Sequence, residues 1–206
     1  MKKLLILLFS LSFLSSPSVY ADDISDFQIE GISIGDSLLD YMDEEEILKG
    51  IEVYKGYEFL KEPNKYSQID LLTKSSTYYG KSFFIKNTTA NKYISNNNKK
   101  YTIKGVIGFI EFIEDFDGCI QKSNEIFEIL TEMFPNEESQ EYRQNHAGDR
   151  SGNSNENVVM IWFDSNAAIS IKCIDLEETY RKENDWSEGL HLAVLSNEIA
   201  NWLSDY

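Results

Sequence analysis

The stretch YTIKGVIGFIEFIEDFDGCIQKSNEIFEILTEMF, Tyr101–Phe134, changes period halfway along. Together with AAISIKCIDL, Ala167–Leu176, it decides the fold. Tyr101 to Ile113 is β-branched and aromatic, with Gly105 and Gly108 leaving room for a bulge or a close neighbour, which predicts a strand. Asp115 or Asp117 then caps a helix. Along it Cys119, Ser123, Ile126, Phe127, Leu130, Met133 and Phe134 recur at steps of three and four, while Gln121, Lys122, Glu125, Glu128 and Glu132 fall mainly elsewhere. Pro135-Asn136 stops it. In the second stretch Ile169, Ile171 and Cys173 alternate onto one face of a strand, and that face is expected to meet the Cys119 stripe of the helix. Cys119 and Cys173 are the chain's two cysteines, and a disulfide between them ties helix to strand.

Working outward, Val158–Phe163 and Ala167–Leu176 form a hairpin around Asp164-Ser165-Asn166. Tyr66–Thr73 and Thr77–Lys86 pair as strands. After Gly189 a strand runs to Leu195 with His191 on its polar side, and Ser196 caps a short helix to Ser204 that carries Ile199, Trp202 and Leu203 inward. Towards the N-terminus, Phe27, Ile29, Ile32 and Ile34 suit a short amphipathic strand or an extended lead-in. Two short helical pieces follow: the first starts at Gly35-Asp36, and the second is capped by Asp43, favoured by Glu44 to Glu46 and ended by Gly50. Val53–Leu60 is a short strand or turn, and Asn87–Lys100 and the polar Asn136–Asn157 are connections, the latter long enough to be either functional or disordered. The fold class is α+β: a single domain, an antiparallel sheet with helices packed mainly on one face, and one disulfide.

Met1–Ala21 has the form of a secretory signal peptide, with Lys2 and Lys3 ahead of the apolar Leu4–Leu14 and small residues around Val19 and Ala21. The mature chain is expected to begin near Asp22, to span residues 22–206 as one domain and to reside in the periplasm or outside the cell, with no membrane span. Loss of the two leader lysines deepens the net charge from −16 to about −18. Such a balance excludes nucleic acid and anionic lipid as partners, because neutralising phosphates requires clustered Lys and Arg.

No C-x-x-C occurs, and His146 and His191 are the only histidines, too few for a zinc site once the cysteines are paired. Asp149, Ser151, Asn153 and Asn155 alternate like the opening of a calcium loop, but Ser154 and Met160 stand where glycine and a bidentate glutamate are required. Neither metal nor cofactor is expected.

Gly35-Asp36-Ser37-Leu38 is identical to the signature of the GDSL hydrolases. That resemblance implies an α/β esterase or lipase with Ser37 as nucleophile and His191 as its base. The chain departs from the family's pattern elsewhere: Asp185 lies six residues before His191 rather than three, and the glycine-x-asparagine-aspartate block has no counterpart. Phe27–Tyr41, the cysteine-bearing helix and Glu198–Leu203 together resemble uncharacterised exported proteins of Pelagibacter-type marine bacteria, which implies export and a single domain but no activity. The expected role is non-catalytic binding of an envelope protein, peptide or small ligand, with Asn136–Asn157, Tyr78, Tyr79 and Trp162 as candidate contacts.

Overall fold

Leu190, Leu192 and Val194 alternate with His191 and Ala193, and a strand so patterned must bury one face. In the computed structural model, which describes residues 24–54, 56–72, 80–87, 100–184 and 186–205, that strand lies at the centre of the sheet. The expected signal peptide, Tyr78, Tyr79, Asp185 and most of Asn87–Lys100 lie outside the described residues. The strands are β1 (Tyr66–Leu72), β2 (Gly80–Lys86), β3 (Ile103–Glu111), β4 (Glu138–Asn145), β5 (Asn155–Trp162), β6 (Ala168–Asp175) and β7 (Gly189–Leu195). They form one antiparallel sheet in the order β1-β2-β3-β7-β6-β5-β4. The helices are α1 (Glu44–Val53), α2 (Phe116–Met133), α3 (Glu178–Asn184) and α4 (Asn197–Leu203).

On the inner face Ile169, Ile171, Leu190, Leu192, Val194, Val159 and Ile161 are buried against Cys119 and Leu130 of α2. Asp115 caps α2 by accepting from the Gly118 N–H at 3.0 Å. The Cys119–Cys173 disulfide joins α2 to β6, as the two stretches require. The outer face carries a smaller core, where Ile199, Ala200 and Trp202 of α4 cover Tyr66, Phe84, Ala168 and Leu195. Ser196 caps α4 as its spacing predicts. Among the described residues no helix is long and apolar enough to cross a membrane.

Three local expectations are corrected. Ile29–Ile34 is not a strand: Ile29 and Ile32 exchange both backbone hydrogen bonds across Glu30-Gly31, whose positive φ values (50° and 80°) make a tight two-residue turn. Gly50 does not end α1, which continues to Val53. It lies where the helix presses on β1, so that a Cβ there would sit 2.9 Å from the Ile69 side chain. The polar Asn136–Asn157 is not one long connection, because Glu138–Asn145 within it is β4, an edge strand paired with β5 in unbroken register from Glu138↔Trp162 to Asn145↔Asn155, and its last three residues open β5.

Candidate functional site

Side chains alternate across the sheet, so Glu138, Gln140, Tyr142 and Gln144 of β4 share the outer face with Glu156, Val158, Met160 and Trp162 of β5. The outer face is open here because α4 covers only its other end. The result is a groove of about 540 Å³ lined by Gln140, Tyr142, Gln144, Met160, Trp162 and Ser204. Trp162 and Tyr142 are 40% and 37% exposed, unusual for large aromatic side chains standing on a sheet. Burial and the nearby Glu156 charge raise the Tyr142 phenol, which enters the groove as a neutral hydroxyl. A second depression, about 500 Å³, meets the first at Ser204, but its charges are already matched: Lys65 with Glu62, Glu198 with Lys104, and Asp205 with Lys61. What the groove offers instead is neutral amide and aromatic surface.

One end of the groove leads to a polar cluster. Glu156 is buried and accepts from Gln144 Nε2 at 3.0 Å and lies 2.6 Å from His146 Nδ1 and 3.2 Å from Lys172 Nζ. Burial works against its charge, but Lys172 and the hydrogen bonds from Gln144 and His146 outweigh it and hold the carboxyl below its ordinary range. Tyr180 of α3 and Trp186 pack around the His146 ring with centroids 6.0 and 5.5 Å away. Beyond Lys172 on the same face is His191, packed edge-on against Phe109 at 4.7 Å. It stands on the outer face as expected, yet largely covered rather than in solvent, and its Nε2 has no hydrogen-bond partner.

Asp149 turns its carboxylate inward, accepting from the N–H and hydroxyl of both Ser151 and Ser154 at 2.7 to 3.0 Å. Those bonds hold it well below the carboxylate range, at about 2, and they close the β4–β5 turn. Among the described residues no group of three or more His, Cys, Asp or Glu side chains is placed to hold a metal ion.

Ser37 and His191 are not brought together. Ser37 is buried, caps the 3₁₀ turn Leu38–Asp40, donates its hydroxyl to the Lys100 carbonyl at 2.7 Å and bridges Thr102 just before β3. His191 pairs with Phe109 near the other end of β3, which puts about 20 Å of strand between them. Gln140, Tyr142 and Gln144 fall within the Asn136–Asn157 stretch expected as a contact surface, but they stand on a strand and not in a loop, and composition alone does not single them out within it. The signal that finds them is their own alternation, set opposite the Met160 and Trp162 pair. Comparison of the chain with protein-family models, with characterised proteins and with solved structures finds no match.

Proposed function

We propose that this chain is an exported, non-catalytic binding domain of the periplasm, and that its ligand lies in the groove between Trp162 and Tyr142. The observation that carries the reading is the pair of solvent-open aromatic side chains with the Gln140 and Gln144 amides on the same sheet face. Aromatic surfaces give contact area at small entropic cost, and neutral amides fix orientation without the desolvation cost of a charge. The ligand is accordingly a peptide segment, on an envelope protein or free, or a small molecule with one flat or apolar face and several hydrogen-bonding groups. The leader-like Met1–Ala21 and the disulfide both support an oxidising compartment outside the cytoplasm.

The test is selection of a random peptide library and of envelope-derived glycans on the purified protein, with Trp162→Ala and Tyr142→Ala as counter-proteins. Binders selected on the wild type are expected to weaken by roughly tenfold or more on each variant, the size of a lost buried aromatic contact. Binders indifferent to both substitutions overturn the site. A fluorophosphonate probe is expected to leave Ser37 unlabelled, and labelling that disappears in Ser37→Ala would reinstate a hydrolase.

A further inference from the structure

We propose that β4 is a self-pairing edge, on which a second copy of this chain adds its own β4 antiparallel to make one continuous sheet across a two-fold axis at Tyr142. All eight residues of β4 are exposed, and the strand carries no proline, lysine or bulge, three of the devices that keep sheet edges from pairing. The register identifies the backbone groups that do not face β5. His146 donates its N–H to the Ser154 carbonyl, so His146 is a hydrogen-bonded partner of the β5 side. Antiparallel ladders alternate, so Gln144, Tyr142, Gln140 and Glu138 also turn their backbone groups towards β5. The N–H and C=O groups of Ser139, Glu141, Arg143 and Asn145 therefore point away from the sheet.

A second strand can only dock by setting those odd-numbered residues opposite their own counterparts. With Tyr142 on the axis, Glu141 faces Arg143 of the second copy and Arg143 faces its Glu141, while Ser139 faces Asn145. On the outer face Gln140 then meets Gln144, and Glu138 meets His146. Shifting the strand by one permitted step puts Glu141 opposite Glu141 in one direction and Arg143 opposite Arg143 in the other, and like charges directly opposite are unfavourable. The register that matches the charges is thus also the one with full overlap, closing about eight backbone hydrogen bonds. Glu141 is held by Asn157 at 3.0 Å and Arg143 lies over the Phe116 ring at 5.2 Å, so both are partly ordered before pairing. The net charge of −16 opposes association, but salt screens it beyond about 8 Å while the Glu141–Arg143 contacts act at bonding distance.

Sedimentation of the purified wild type is expected to show a dimer, and Glu141→Arg and Arg143→Glu each a monomer, because either places like charges opposite across the axis. An equimolar mixture of the two variants restores the dimer, as does the double swap in one chain. Tyr142→Cys gives an interchain disulfide on oxidation while Gln140→Cys does not, because only residue 142 faces itself; this reading stands even where a charge variant fails to fold. A monomeric wild type, together with a Tyr142→Cys variant that fails to crosslink, leaves the edge to some other strand and overturns the proposal. A dimer insensitive to both single charge reversals overturns it equally.

Discussion

His191 shows how a single side chain couples this sheet to pH. Burial, with Lys172 and His146 adding to it and Glu156 opposing, depresses its imidazole from 6.5 to about 4. The folded chain thus keeps a neutral ring where the unfolded chain binds a proton. The stabilisation from this group is whole above pH 6.5, falls as pH drops towards 4 and is level below that. A shift of this size corresponds to about 3 kcal/mol at most. Urea midpoints at pH 7 and pH 4.5 are expected to separate more for the wild type than for His191→Gln, which has no proton to bind. Equal separations would remove His191 from the account and leave the acid sensitivity to the carboxylates, of which Glu156 and Asp149 are held below their ordinary ranges.

Helix α1 against β1 carries the next prediction. Helix propensity alone favours Gly50→Ala by about 1 kcal/mol. The added methyl, however, would meet two atoms of Ile69 at 2.9 and 3.0 Å, and Ile69 is a buried core residue. Overpacking of this kind costs roughly 1 to 3 kcal/mol, so the variant is expected to lower the denaturant midpoint, and Gly50→Ala with Ile69→Val to regain part of the loss. A rise in midpoint for Gly50→Ala would mean that α1 sits further from the sheet. Contacts of this sort decide which elements are legible in sequence. Helix α2 buries one stripe and strands β6 and β7 bury their inner side more completely than their outer one, and that imbalance gives the alternation or the three-and-four spacing that identifies them. Asp43 and Ser196 announce the starts of α1 and α4 because an N-cap needs a side-chain acceptor. Strand β4 buries neither side, so its composition is free of that constraint and resembles a connection; its ladder with β5 is what holds its backbone. The groove inherits the same blindness, since three of its residues belong to β4 while Trp162, on the half-buried β5, is conspicuous from composition alone. Gly50 misleads for a related reason: a glycine required by the neighbouring strand looks the same as one that ends a helix.

At the scale of the whole molecule, the sheet has a core on each face, and the disulfide acts on only one of them. Cys119 and Cys173 are 54 residues apart, and the segment they enclose includes most of α2, all of β4 and β5, and most of β6. Those elements make one end of the sheet, and β7 joins them to the β1-β2-β3 end. Closing so long a loop removes conformational freedom from the unfolded chain worth about 4 kcal/mol. A domain of this size has a total stability of about 5 to 15 kcal/mol, so the crosslink supplies a large share of it. The paired substitution Cys119→Ala and Cys173→Ala is expected to lower unfolding free energy by roughly 2 to 5 kcal/mol with the same order of strands retained. Amide exchange should rise first in β4 and β5, which lie within the enclosed segment, and last in the α4 core, which packs on the opposite face and draws its buried residues, Ala168 excepted, from outside that segment. Exchange that rises uniformly through both cores would mean that the sheet unfolds as one unit, with the disulfide acting on the whole chain and not on one end.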